Sequence, residues 1–451
     1  MSDGHRSRRA TIASKLFSGD HRVSLAALIV GSILFQLTLL VPNARLSPQA
    51  DEIQYLHYSR SIQAGKGLPG SLRPPVHPYA VALARTVAPR GTPPRLAVGV
   101  LQIIASAITM GLIYLLAQEL FDRRSGLVAA AIFGFYPTIA AHTHLLWSDS
   151  LTLLPLVASL LLSVRAQKSG RPLTALAAGA AFGLTALTRE FAFWFIPVVA
   201  VWLAVSSGIG RRRTLAACLV VAGALLVILP WTVRNYRVHD EVVLIAANSW
   251  SPLYLANNMD KRQWLAIHHY RDYRGRDVER ERFARKHALN TIASRQPGWI
   301  FDRLAISVPA LLSVENFSLR HFRFGWYGDV SHLVKVLAVI TMTTSYLALL
   351  ACFALGVTAT RWNAGRLLVL LFMLYAASVI VPFPTVSRYR LPLEALATPF
   401  AAAWLSGAEA TRGRSGRGPH LYVGMAIAAS LIALSFVTGA GRIAEILSLQ
   451  A

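Results

Sequence analysis

The chain has 451 residues, 54% of them hydrophobic and only 15% charged, with a mean hydropathy of +0.47. Soluble domains carry about 25% charged residues, so a soluble enzyme, a disordered tail and a disulfide-rich or collagen-like module are excluded. A formal net charge of +24, from 45 Lys and Arg against 21 Asp and Glu, would suggest nucleic acid in a soluble protein. Here the basic residues cluster between apolar runs, where the positive-inside rule puts them, and no nucleic-acid partner is expected.

Arg6, Arg8, Arg9, Lys15 and Arg22 precede an uncharged run over 23–41. No small-residue cleavage site follows Val41, so this run reads as a first span, not a cleaved leader. Further apolar runs cover 96–117, 127–141, 151–164, 173–188, 191–205, 214–233, 333–359, 367–381, 393–405 and 421–437. They predict an all-α polytopic membrane protein with about 11 transmembrane helices. Cys218 and Cys352 fall inside such runs and read as small buried hydrophobes, with no disulfide framework.

Topology follows from charge. With the N-terminus in the cytoplasm and strict alternation, the inner loops contain Arg123-Arg124, Arg165/Lys168/Arg171, Arg211-Arg212-Arg213, Arg361/Arg366 and Arg412/Arg414/Arg417. The outer side receives 42–95, 142–150, the turn at Arg189-Glu190, 234–332 and 383–392, and with them most of the acids. Three parts result: 1–233, a transmembrane core that includes the outer loop 42–95; 234–332, a small periplasmic cap; and 333–451, the C-terminal helices. Ser47-Pro48 reads as an N-cap followed by Pro at the first helical position. Ile53, Leu56 and Ile62 then recur at helical spacing, which predicts an interfacial helix. A second helix is predicted over 278–294, stopped by Gln296-Pro297-Gly298.

The outer segments carry the candidate chemistry. Asp51 and Glu52 could meet the helix dipole in a first turn or supply a general base. In Arg73-Pro74-Pro75-Val76-His77-Pro78 the prolines enforce an extended brace that can present Arg73 to an anion. Asp149, after Trp147-Ser148, is a carboxylate close to hydrocarbon, costly unless paired or solvated. In Ser387-Arg388-Tyr389-Arg390-Leu391-Pro392, two arginines stand on the outer side against the positive-inside bias. They could snorkel to headgroups; an anionic substrate is the sharper reading. Arg189-Glu190 reads as a self-satisfied turn pair. His142, His144, His268 and His269 give no metal-ligand spacing, and Gly179 and Gly183 read as a helix-packing face. No nucleotide-binding loop is present.

Taken in order, Asp51-Glu52 with Tyr55, Arg73-Pro74-Pro75, Asp149, Pro230-Trp231-Thr232-Val233-Arg234-Asn235, Tyr254-Leu255-Ala256-Asn257-Asn258 and Arg388-Tyr389-Arg390-Leu391-Pro392 resemble the bacterial glycosyltransferase family 39 of the GT-C superfamily. The pattern is also similar to the lipid A aminoarabinose transferases and, more distantly, the protein O-mannosyltransferases. The resemblance implies a GT-C bundle with interfacial periplasmic helices and a periplasmic cap. It also implies a polyprenyl-phosphate-linked sugar donor and a lipid, glycan or protein acceptor. Asp51 matches the first-loop acid taken as catalytic, Arg73 the basic residue before Pro-Pro, and Asp149 the second acid near the outer face. Leu72 stands where the aminoarabinose transferases carry an acid, which weakens a zinc assignment. The extra soluble module of the eukaryotic mannosyltransferases is also absent.

A sugar phosphate is already a competent leaving group, so the site needs a base for the acceptor hydroxyl and fixed positive charge for the departing phosphate. The expected catalytic residues are Asp51, with Asp149 and Glu52 as the other candidate acids. The expected substrate-binding residues are Arg73, Arg388, Tyr389, Arg390, His77 and Tyr55. No cofactor is required and no metal is indicated, although a divalent ion would be compatible with the chemistry. The expected setting is the bacterial inner membrane, multi-pass and among membrane lipids, with the site facing the periplasm. The rival reading is a transporter or lipid flippase; its hallmark, ionisable groups near the midplane, is missing from most of the predicted spans.

Overall fold

The computed structural model describes residues 21–206, 211–258, 277–408 and 419–448. The N-terminal basic residues before 21, His268-His269 and the Arg412/Arg414/Arg417 loop lie outside the described residues. Every apolar run that is described is helical, and among the described residues there is no strand. In chain order the helices are α1 (His21–Asn43), α2 (Asp51–Gln63), α3 (Val76–Val87), α4 (Pro94–Leu120), α5 (Arg123–Phe135), α6 (Pro137–Thr143), α7 (Ser148–Ser169) and α8 (Pro172–Thr188). A 3-10 segment, Glu190–Phe195, leads into α9 (Ile196–Val205), followed by α10 (Arg211–His239). The outer segment then supplies α11 (Trp250–Asn258), α12 (Asp277–Ser294), α13 (Gly298–Leu312) and α14 (Phe317–Arg323). Last come α15 (His332–Ala359), α16 (Ala364–Ile380), a 3-10 turn Ser387–Arg390, α17 (Leu391–Ser406) and α18 (Pro419–Ser448).

Six described helices are long and apolar enough to cross a membrane, or seven if the bent pair α5–α6 is one span. Pro172–Thr188, Glu190–Val205 and Ala364–Ile380 are apolar but shorter, as is α17, so the predicted spans are of two lengths. The protein is an all-helical, multi-pass membrane protein. Local chemistry sets the breaks. Pro137, without an N–H, starts α6 after a bend of 53°. Asp122 and Asn363 cap α5 and α16 by accepting from Ser125 N–H and Arg366 N–H at 2.8 and 2.9 Å. α7 ends on Gly170 at φ 62°, a left-handed position that suits glycine.

α7 runs through the interior: 72% of its apolar window is buried, against 17% for α1, α15 and α18. It packs on α4 and α8, α8 packs on α10, and α15 on α17 and α18. Met110, Phe133, Phe182, Phe195, Phe372 and Phe400 fill the core between them. Gly179 and Gly183 meet the backbone of α10 at Val220 and Ala224, as a packing face requires.

Some expectations need correction. Ser47 does not cap: α2 begins at Asp51 after Ala50, which takes φ 48°, and Glu52 closes the entry turn by accepting from Gln49 N–H at 2.9 Å. The inward face of α2 is Glu52, Tyr55, Leu56, Tyr58 and Ser59, whereas Ile53 is exposed. Cys218 is exposed on α10, not buried, and Cys352 is partly buried; both thiols are free.

Candidate active site

α2 and α3 pack on the bundle through Leu56, Val81, Ala84, Val98 and Leu146. The start of α2 is fixed by Glu52. Its Oε1 accepts from Arg95 Nη1 at 2.9 Å and Leu146 N–H at 3.0 Å, and its Oε2 from Arg95 Nη2 at 2.7 Å. The pair is nearly solvent-free, at 2% and 6% exposure. Both carboxylate oxygens are thus committed to structure, which corrects the expectation of Glu52 as a candidate catalytic acid. Asp51, one helical residue away and rotated by about 100°, points the other way, into a cavity.

That cavity has a volume of about 300 Å³, and its lining includes Asp51, Tyr55, Arg73, Trp147, Asp149, Arg189, Glu190, Ser249, Arg388 and Tyr389. Phe191, Trp194, Ala376, Val379, Ile380, Phe383 and Pro392 add apolar surface to the same lining. Asp51 sits between two guanidiniums. Its Oδ1 accepts from Arg73 Nη2 at 2.8 Å, and its Oδ2 from Arg388 Nη1 and Nη2, both at 3.3 Å. Burial acts to raise the Asp51 pKa, but the charges and hydrogen bonds of Arg73 and Arg388 outweigh it and hold the carboxyl below its ordinary range. Burial likewise opposes the charge on Arg73 and Arg388, yet neighbouring Tyr55 and Asp51 for the first, and Tyr389, Asp149 and Asp51 for the second, push both guanidiniums further up.

Both arginines are held for presentation. Arg73 donates from Nε to Gln54 Oε1 at 2.8 Å and lies 5.5 Å from the Tyr55 ring centroid. Arg388 lies over the rings of Trp147 (4.7 Å), Phe317 (5.3 Å) and Tyr389 (5.3 Å), and its Nε is buried without a partner. Asp149, 3% exposed, pairs with Arg189, which in turn lies 5.2 Å from the Tyr389 ring. Arg189-Glu190 is therefore not a self-satisfied pair: Arg189 holds Asp149, and Glu190 accepts from Ser249 Oγ at 2.5 Å.

Two further expectations are overturned. Arg390 does not join Arg388. In a 3-10 turn, residues two apart point about 240° from each other, and Arg390 is buried against Glu394 and the carbonyls of Leu311 and Ser313. His77 is 1% exposed and does not line the cavity; it stacks edge-on to Tyr55 with centroids 4.5 Å apart. Its Nε2 donates to Leu146 O at 3.0 Å, and burial lowers its pKa to about 4, so it is neutral and supplies no charge for an anion. It positions Tyr55 instead.

The remaining motifs are braces. Arg234 donates to Gly70 O at 2.7 Å and to Leu68 O, and Ser71 Oγ donates to Asn235 Oδ1 at 2.8 Å, which anchors the Arg73 loop on the end of α10. Asn257 Nδ2 donates to Pro382 O at 3.1 Å, tying α11 to the segment before Arg388. Trp147, Arg189, Glu190 and Ser249 are site residues that the sequence reading left out or ranked low. The signal for Arg189 and Glu190 was present: two charges on the outer side at a break between apolar runs. Ser249 had none. Among the described residues no three His, Cys, Asp or Glu side chains converge in a way that could hold a metal ion.

Residues 72–233 match the family model of dolichyl-phosphate-mannose-protein mannosyltransferases. A search of curated proteins by sequence found no match. Among solved structures, the chain is similar to the Archaeoglobus fulgidus oligosaccharyltransferase in its apo form, at 15% identity and TM-score 0.52, over 95% of this chain and 56% of that one. It is also similar to the same organism's oligosaccharyltransferase AglB in complex with an inhibitory peptide and a dolichol-phosphate, at 14% identity and TM-score 0.54, over 93% and 56%. ArnT from Cupriavidus metallidurans bound to undecaprenyl phosphate aligns at 15% identity over 92% of this chain and 88% of that one, with TM-score 0.42. The chain spans about 56% of the length of the archaeal structures. It shares the polytopic helical fold of the part of the archaeal oligosaccharyltransferases that it covers, and its segment 72–233, which carries Arg73, Asp149 and Arg189, matches the mannosyltransferase family model.

Proposed function

We propose that the protein is a membrane glycosyltransferase that moves a sugar from a polyprenyl-phosphate donor to an acceptor at the periplasmic face of the bacterial inner membrane. The observation that carries this reading is Asp51 bridged by Arg73 and Arg388 in a cavity whose lining combines charged and apolar side chains. Such a cavity suits a phosphate on a hydrocarbon chain. The family model and the archaeal structure solved with a dolichol-phosphate support the same donor class.

In this reading Arg73 and Arg388 hold the donor phosphate. Sharing their donors with phosphate weakens their hold on Asp51, so donor binding raises the proton affinity of the base when an acceptor hydroxyl needs it. Arg388, fixed by its aromatic cage, meets the growing charge on the leaving phosphate without reorganising. Asp149 and Arg189 line the acceptor side with Glu190. One displacement with one base inverts the anomeric centre.

The test is purified protein with a polyprenyl-phosphate sugar and membrane glycolipid or glycan acceptors, read as released polyprenyl phosphate and glycosylated product. Asp51→Asn is expected to lose at least about two orders of magnitude, the scale of a positioned general base. Transfer by Asp51→Asn at the wild-type rate, or a product of retained configuration, would overturn the mechanism. A protein that translocates the donor without cleaving it would be a flippase.

A further inference from the structure

A second cavity lies on the other side of the Ser387–Arg390 turn, between α15, α16 and α17, with a volume of about 570 Å³. That is within the range of pockets that enclose a small molecule, about 300–1,000 Å³. Its wall is formed by side chains such as Leu349, Phe353, Leu367, Leu371, Leu374 and Leu393. Along α16 the lining runs from Leu367 to Ala377, ten helical steps and therefore about 15 Å. That is about half the thickness of a ~30 Å hydrocarbon core, the depth of one leaflet.

One end of this apolar cavity is not apolar. Arg390 and Glu394, 3% and 4% exposed, line it as an ion pair. Nε of Arg390 goes to Glu394, Nη1 goes to the carbonyls of Leu311 and Ser313, and the guanidinium stacks 3.9 Å from the Tyr346 ring centroid. Its Nη2 is buried and has no partner. A buried donor of this kind calls for an acceptor. Because Glu394 already neutralises the charge, the fitting acceptor is neutral: a phosphate there would face the Glu394 carboxylate. The pair stands where α17 begins, beside the turn whose Arg388 reaches Asp51, at one end of an apolar wall.

We propose that this cavity binds one chain of an ester-linked acyl lipid, with the ester carbonyl accepting from Arg390 Nη2. The site is separate from the Asp51 cavity, since the 3-10 turn sends Arg388 to one and Arg390 to the other.

The experiment uses the full chain in nanodiscs that contain a phospholipid with a diazirine in its acyl chain, or the ether-linked analogue with the same diazirine. Adducts are mapped by peptide mass spectrometry. Labelling is expected to concentrate at Leu349, Phe353 and Leu371 over the exposed Leu337 and Ile340. The ether lipid should label these positions about threefold less or weaker still, the scale of one hydrogen bond of ordinary net strength. Leu371→Trp, or Leu349→Phe if the first fails to fold, should fill the cavity and abolish the difference between cavity and surface. Even labelling of all exposed positions, equal labelling by the ether lipid, or displacement by undecaprenyl phosphate, which would make the cavity part of the donor site, each overturns the proposal.

Discussion

Asp51 and Glu52 are adjacent, yet each has one task. Glu52 is ion-paired with Arg95 inside the protein, so Glu52→Gln is expected to destabilise by about 3–5 kcal/mol, the cost of breaking a buried pair. A lowered melting temperature in detergent, with residual activity tracking the folded fraction, is the signature. Arg388 and Arg390 divide in the same way. Arg388→Ala should raise the donor KM steeply with the fold intact, and Arg388→Lys should restore only part, because an ammonium cannot reproduce the planar fork. Arg390→Ala should lower stability and leave the donor KM of the folded fraction near wild type. The pH dependence has a definite sign. Asp51 is held below its ordinary range, so it stays ionised, and the acid limb of kcat/KM lies below about pH 3.9, the usual Asp value. As a group with a lowered pKa, it also contributes stability above its unfolded pKa that is lost as pH falls through the folded one. Arg73→Gln removes one lowering charge while burial remains, so the limb should move to higher pH. A limb that stays in place would show that Arg73 does not govern the base.

At the scale of elements, close backbone approach matters most where α8 meets α10. A Cβ at Gly179 would fall against the Val220 carbonyl, which is backbone and cannot swing aside. Gly179→Leu is therefore expected to cost about 1–3 kcal/mol or more through overpacking, read as a lower melting temperature. Gly111, where an added Cβ meets nothing within 4 Å, is the control: Gly111→Ala should be neutral or slightly stabilising. The Gly-x-x-x-Gly spacing was legible in the sequence because helical periodicity puts both glycines on one face. The bend at Tyr136-Pro137 was not read, because an apolar run looks continuous whether or not its backbone is.

For the whole molecule, the alternation of basic loops makes a topological prediction. In a background lacking Cys218 and Cys352, Lys66→Cys should react with a membrane-impermeant thiol reagent added from the periplasmic side. Arg171→Cys should react only after the membrane is opened. Both positions are exposed, so access to reagent is not limited by burial. The reverse pattern would turn the Asp51 cavity to the cytoplasm and remove the proposed site from the periplasm.

The sequence alone determined the class of protein, the helical runs and the grouping of Asp51, Arg73, Asp149 and Arg388, which line one cavity. These depend on composition, on the 3.6-residue period and on the cost of charge in hydrocarbon, all of which are local. The tertiary structure decided which charge meets which. Asp51 and Arg388 are 337 positions apart and Glu52 and Arg95 are 43 apart. Nothing local distinguishes Arg388, which reaches the Asp51 cavity, from Arg390, two residues on, which the turn sends to Glu394. Pairing depends on how helices pack and on the short 3-10 turn between α16 and α17, and those are set by contacts across the bundle.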